Sequence, residues 1–334
     1  MSTSQNSQYF VERSTALSRT AVWGGVLGAF VLVSVPFWAD SSLMRWGVEV
    51  MCFLVLAQMW NLLAGYGGLI SVGQQAFVGL GGYGLFIFAQ HMGVHPFWAV
   101  PLGGVLAALV AALTAKLMFR LRAGYFAVGT WVLSEVIRIA MSNVSMTGGG
   151  SGQSLTVMAR MPKEFRESGT FWLACALLIA ASVSINLLLR SRFGLALTAV
   201  RDSETAAESQ GVDVAGLKFR VYVMSAFGTG LVGSLYYLNT LRIAPTSAFD
   251  LNWVVAAIFI VVIGGIGTVE GPMVGVALFF GLRWLLADYG SWYWMAMGAL
   301  AVLVMVFAPK GIWGLIQKKT SIELLPMRRR LLRR

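Results

Sequence analysis

Residues 61–84 run Asn61-Leu-Leu-Ala-Gly-Tyr-Gly-Gly-Leu-Ile-Ser-Val-Gly-Gln-Gln-Ala-Phe-Val-Gly-Leu-Gly-Gly-Tyr-Gly84, without a charge and set between apolar runs. In a water-soluble core such a stretch is a liability, because each glycine costs roughly 1 kcal/mol against alanine in a helix. In a bilayer it has two uses. Small residues let helices approach closely, and an interrupted helix can turn unpaired backbone groups toward a polar solute. The stretch therefore predicts an all-α polytopic membrane protein with Gly-rich broken segments, built to pass a solute. The composition agrees: 57% of the residues are hydrophobic and only 12% charged, about half the charged share of a soluble chain.

Windows long enough to cross a ~30 Å hydrocarbon core at 1.5 Å per residue fall near 20–39, 46–64, 68–92, 96–119, 123–143, 169–189, 217–241, 252–267, 270–288 and 291–308. They number about ten, and glycines near 61–92 and 252–288 also allow re-entrant pieces. This divides the chain into an N-terminal segment 1–19, a membrane domain 20–309 and a basic tail 310–334. The first apolar run, Ala21 to Ala39, meets Asp40-Ser41-Ser42 with no cleavage-like end, so it reads as a retained helix. With both termini cytoplasmic, eighteen of the 25 Lys and Arg residues fall inside and five outside, with Arg138 and Arg283 in helices. That bias follows the positive-inside rule. The net charge of +11 is thus a topology signal, and no nucleic-acid partner is expected. The Arg328–Arg334 tail is expected to meet anionic membrane lipid. Cys52 and Cys175 lie in apolar runs far apart, which suggests neither a disulfide framework nor a metal site.

A second glycine break, Gly264-Gly-Ile-Gly-Thr-Val-Glu-Gly-Pro-Met-Val-Gly275, lies in the other half of the chain. Paired interruptions point to a midplane pathway lined by Gly73 and Gly79 in one break and Gly264, Gly265 and Gly267 in the other; close helix packing is the competing explanation. Ser71, Gln74 and Gln75 are the polar groups of the first break. Either they touch a zwitterionic solute beside a half-helix N-terminus or they hydrogen-bond between helices. Glu135 and Arg138 share one helix face past the midplane, where an unpaired charge costs at least ~3 kcal/mol. Mutual pairing is expected, with the pair either bracing neighbouring helices or lying beside the solute path. Arg283 and Asp288 fall at an outer interface, where snorkelling suffices.

Residues 190–216 form the long polar insertion between apolar runs. Leu197, Val200, Arg201, Glu204 and Glu208 fall at helical spacing, Ala206 and Ala207 are small, and Gly211 can close the helix with a left-handed cap. This predicts a short amphipathic helix. It is either a solvated loop or a knob that docks into a partner, with Arg201, Asp202 and Glu204 fixing the orientation.

The segment Phe193-Gly-x-Ala-x-x-Ala-Val-Arg-Asp-x-Glu-x-Ala-Ala-Glu-x-x-Gly211 resembles the ATPase-coupling loop of the LivM-like permeases of branched-chain amino acid ABC importers. Asn61-x-x-x-Gly-Tyr-x-Gly-x-x-Ser-x-Gly-x-x-Ala-Phe-x-Gly-x-Gly-x-Tyr83 is similar to that family's early glycine motif. Arg120-Leu-Arg-x-x-Tyr-Phe-Ala127, Glu135-Val-Ile-Arg138 and Thr147-Gly-Gly149 resemble its central block, and Gly264–Pro272 with Ala308-Pro-Lys-Gly311 its C-terminal half. Thr205 departs from the general ABC loop, which carries Glu there, and Gly82 stands where Ala is common. The resemblance covers roughly residues 45–315. It implies a bacterial inner-membrane permease paired with a LivH-like second permease, two ABC ATPase subunits and a periplasmic solute-binding protein. Branched-chain amino acids are the implied solutes, with urea and amides carried by relatives. The chain has no Gly-x-x-x-x-Gly-Lys-Ser/Thr motif, so it is expected to be no enzyme and to hold no cofactor. ATP and Mg would bind the separate ATPase subunits. The alternative is a self-sufficient secondary transporter, which would need midplane carboxylates for a coupling ion.

Overall fold

The computed structural model describes residues 9–12, 16–121, 124–286, 290, 292–320 and 330–333. Asp288 lies outside them, as do Arg328, Arg329 and Arg334 of the basic tail. In chain order the helices are α1 (Ala16–Ser34), α2 (Ser41–Asn61), α3 (Gln74–Phe86), α4 (Pro96–Met118), α5 (Gly124–Ser142), α6 (Lys163–Arg190) and α7 (Arg192–Asp202). They continue with α8 (Glu204–Ser209), α9 (Val214–Thr240), α10 (Pro245–Ala248), α11 (Asn252–Gly264), α12 (Gly271–Leu286), α13 (Trp292–Phe307) and α14 (Gly311–Thr320). Two antiparallel ribbons complete the fold: β1 (Tyr9–Glu12) with β4 (Arg330–Arg333), and β2 (Gln153–Ser154) with β3 (Arg242–Ile243).

Each of the apolar windows read from the sequence overlaps a helix, although the window at 68–92 begins in non-helical backbone and α3 starts only at Gln74. Among the described residues, six helical stretches are long and apolar enough to cross a membrane: Ser41–Tyr66, Pro96–Met118, Lys163–Arg190, Val214–Thr240, Pro245–Gly264 and Met295–Lys318. Trp23–Phe37 and Gly271–Leu286 are shorter apolar helices. The helices start where side chains satisfy their free N–H groups. The Asp40 carboxylate accepts from Leu43 N at 3.2 Å at the head of α2, and Pro96 opens α4, where its missing N–H costs nothing.

Every residue of α3 is buried, which makes this glycine-rich helix the centre of the bundle. Helices α4 and α9 press against it through small residues. A Cβ at Gly81 would fall on the Gly230 carbonyl, and one at Gly233 on the Val78 carbonyl. The Ser234 hydroxyl donates to Gly81 O at 2.8 Å across the same seam. Lipid tails offer no hydrophobic drive for helix association, so this backbone-to-backbone closeness supplies dispersion contact instead. Gly-rich sequence and close packing therefore have one cause here.

Candidate functional site

The first glycine break begins with a π-helical turn, Leu62–Tyr66, and then leaves helical geometry from Gly67 to Gly73. Its backbone groups find partners on neighbouring helices and within the break itself. The Trp60 indole donates to Ser71 O at 2.9 Å, Val72 N donates to the Thr130 hydroxyl at 3.1 Å, and Gly73 N donates to the Ser71 hydroxyl at 3.2 Å. Gln74 then reaches α9, donating to the Ser225 hydroxyl at 3.0 Å and accepting from Thr229 at 3.2 Å. Ser225 stands eleven residues into α9, or roughly 16 Å at 1.5 Å per residue. Non-helical backbone thus runs from one face of the bundle well into its interior, which a membrane allows only where protein covers it.

The second break is tighter. Helix α11 ends at Gly264, and Gly265 and Gly267 adopt φ values of 137° and 72°, a region open chiefly to glycine. The Thr268 hydroxyl donates to Gly265 O at 2.7 Å and accepts from Gly271 N at 3.0 Å, which starts α12. A Cβ at Gly264 would fall on the Gly271 carbonyl.

The two breaks, some two hundred residues apart, meet at Asn61. Its carboxamide oxygen accepts from Gly267 N at 2.8 Å, and its nitrogen donates to Thr268 O at 2.8 Å. Arg201 joins them from α7, its Nη1 donating to Gly65 O at 3.0 Å. Its side chain also lies against Gly68. The sequence reading expected both interruptions at the midplane. The second break and the root of the first lie together beside α7, where the Asn61 and Arg201 side chains satisfy the Gly267 amide and the Thr268 and Gly65 carbonyls.

The segment 190–216 differs from its expected single helix. It forms two short helices parted at Ser203, whose backbone is extended and whose hydroxyl accepts from Ala206 N at 3.3 Å. Serine at that position caps better than it continues a helix. Leu197, Val200 and Ala207 are buried, while Asp202, Glu204 and Ala206 are exposed. Arg201 also pairs with Asp202 at 2.9 Å, and Glu204 pairs with Lys218 at 2.6 Å. Gly211, at φ 81°, closes α8 in the left-handed conformation its sequence context implied.

The remaining expected path residues scatter. Gly73 packs on the Thr130 backbone and Gly79 on the Phe249 ring. Gln74 bridges α3 and α9, whereas Gln75 is buried and neither of its amide atoms has a hydrogen-bond partner among the described residues. Glu135 and Arg138 bond each other, with Nε 2.9 Å from both carboxylate oxygens. Among the described residues the pair braces no neighbouring helix. It stays part-exposed, with side-chain exposures of 45% and 31%, on a face otherwise formed by apolar groups such as Val128, Trp131, Val132 and Val136. Arg283 does not rely on snorkelling: it reaches Glu49 at 2.7 Å and lies over the Phe280 ring. Sequence reasoning missed Asn61, Thr130, Ser225 and Thr229 as working groups. Their signal was present, since each is a polar residue that an apolar membrane helix would otherwise avoid.

A bundle of apolar helices with a glycine-interrupted centre, joined to a polar segment outside it, defines a transport permease. The chain belongs to the family of permease components of branched-chain amino acid transport systems, whose pattern matches residues 42–309. It is similar to the high-affinity branched-chain amino acid transport system permease protein LivM of Salmonella typhimurium (strain LT2), with 27% identity over 324 residues, 88% of this chain and 75% of that one. The protein of the same name in Escherichia coli (strain K12) is 27% identical over 322 residues, 87% and 74% of the two chains. A probable branched-chain amino acid transport permease protein LivM of Methanocaldococcus jannaschii is 24% identical over 250 residues, 70% of this chain and 71% of the relative. No solved structure matches the chain.

Proposed function

We propose that this chain is the LivM-like half of an ABC importer in a bacterial inner membrane, with both termini in the cytoplasm, carrying branched-chain amino acids inward. It works with a LivH-like second permease, two ABC ATPase subunits that hold ATP and Mg, and a periplasmic solute-binding protein. Urea or short amides are the related solutes that the same scaffold would suit. The observation that carries the reading is the Arg201 junction. A polar segment that only filled space between helices would need no charged bond to the backbone of a glycine break. In this reading the exposed surface of α7 and α8, with Asp202, Glu204 and Ala206, meets the ATPase, while Arg201 relays its movement to both breaks.

The α5 face supports the second permease. A part-exposed ion pair facing lipid is costly by several kcal/mol, so a protein or aqueous boundary is the better neighbour. Replacing Glu135 and Arg138 together by leucine should reduce uptake at least ~10-fold, equivalent to ~1.4 kcal/mol, while the complex still assembles. Wild-type uptake by that double variant would remove the pair from the path.

The test of the whole reading is affinity purification of the tagged chain from mild detergent, followed by uptake in proteoliposomes. Co-purification of an ATPase and a second permease is expected, with leucine uptake that needs ATP and a binding protein. A chain that purifies alone and responds to a proton or sodium gradient would replace the importer with a secondary transporter.

A further inference from the structure

On α3, Gln75, Gly79 and Tyr83 stand at successive four-residue steps and so share one face. Gln75 is 1% exposed and Tyr83 is fully buried. Among the described residues, neither amide atom of Gln75 nor the Tyr83 hydroxyl has a hydrogen-bond partner. Buried polar groups are almost always paired, since an unpaired one costs about 1–3 kcal/mol. Two on one helix face call for an explanation. Gly79 lies between them, and the ring of Phe249 fills the notch its missing Cβ leaves, stacking on Tyr83 at 5.9 Å and 12°.

We infer that Gln75 and Tyr83 form a contact site for the charged end of a small zwitterionic solute, and that Phe249 closes this site in the present conformation. The proposal rests on the transport reading above. The chemistry suits a neutral amide and a phenol. The Gln75 amide nitrogen and the Tyr83 hydroxyl can donate to a carboxylate, while the Gln75 oxygen can accept from an ammonium group. Uncharged partners hold both charges of that end without trapping either, as a site that must release its solute requires. Phe249, with Tyr237 and Ile243 beside Gly82, offers apolar surface to an aliphatic side chain.

Phe249 is also placed to respond to the loop that leads into α6. It follows the single turn α10, which β3 joins to α9. Strand β3 pairs with β2, Leu155 N donates to Leu241 O at 2.9 Å, and Gly152 sits so close that a Cβ there would lie 2.7 Å from Ala244 Cα. Movement of the 144–160 loop therefore pulls directly on the segment that carries Phe249.

The test uses the assembled complex in proteoliposomes with Gln75→Leu and, separately, Tyr83→Phe. If these groups only sit idle, removing them relieves an unmet polar cost, and the variants should be as stable as wild type or more so, with unchanged uptake. A solute site predicts intact or raised thermal stability together with a loss of leucine uptake of at least ~10-fold, or ~1.4 kcal/mol. Full uptake by both variants overturns the site and leaves the importer standing. A wild-type complex that carries none of leucine, isoleucine and valine overturns the transport reading and the site together. Should Gln75→Leu fail to assemble, Tyr83→Phe, which removes one oxygen from a ring that keeps its packing, decides the matter alone.

Discussion

Arg201→Ala is expected to cut ATP-driven uptake by at least ~10-fold while the ATPase subunits still co-purify with the chain. The reason lies in where the guanidinium points. Its bond to Gly65 O and its contact with Gly68 face the bundle, and although 37% of its side chain is exposed, Asp202, Glu204 and Ala206 offer further exposed surface on α7 and α8. Removing it leaves the Gly65 carbonyl without its charged donor, a loss of about 1.5–3 kcal/mol for a hydrogen bond of that kind, and detaches α7 from the first break. ATP hydrolysis should persist and become poorly stimulated by solute. Asn61→Leu should give the same split from the other side of the junction, because it cuts both bonds to Gly267 and Thr268. The measurement is solute moved per ATP hydrolysed in proteoliposomes. Loss of ATPase binding in Arg201→Ala would instead make the arginine part of the docking surface.

Gly233→Leu should abolish folded protein. A Cβ at this position already falls on the Val78 carbonyl of the central helix, and leucine adds three more carbons at a seam with no slack. Helices α3 and α9 would have to separate, giving up the Ser234 to Gly81 bond as well. Overpacking of a dense core costs about 1–3 kcal/mol even where side chains can yield, and here the obstacle is backbone. The expected result is little monodisperse protein by size-exclusion chromatography of the detergent extract. Gly211→Leu is a useful contrast. No atom lies near a Cβ there, so the only cost is the left-handed backbone, about 1 kcal/mol, and the protein should fold.

Much of this fold was legible in the sequence because bilayer rules are blunt. Long apolar windows with few charges had to become helices, and glycine clusters had to mark close approach or interruption. Glu135 and Arg138 paired as their spacing demanded, and Gly211 took the cap it suited. The errors have a common physical origin. Helical spacing from Leu197 to Glu208 could not reveal that Ser203 would cap a new helix, because capping competes with continuation through a local hydrogen bond. Nor could spacing show that Asn61 and Arg201 would satisfy the breaks at Gly65 and Gly267, since that depends on contacts across more than a hundred residues. Gln74 and Gln75 are neighbours of the same type, yet one bridges to Ser225 and Thr229 and the other has no hydrogen-bond partner among the described residues. Helix rotation separates them by about 100°, which no composition argument can weigh.

The Asn61–Arg201 junction addresses only main-chain atoms of the breaks: the Gly65 and Thr268 carbonyls and the Gly267 amide. Any residue whose backbone fits those turns presents the same groups. Lineages can therefore rewrite many of the side chains around the breaks, and with them the cargo, without rebuilding the drive that moves them. Only the two side chains that do the gripping, and the glycines whose backbones they grip, must stay.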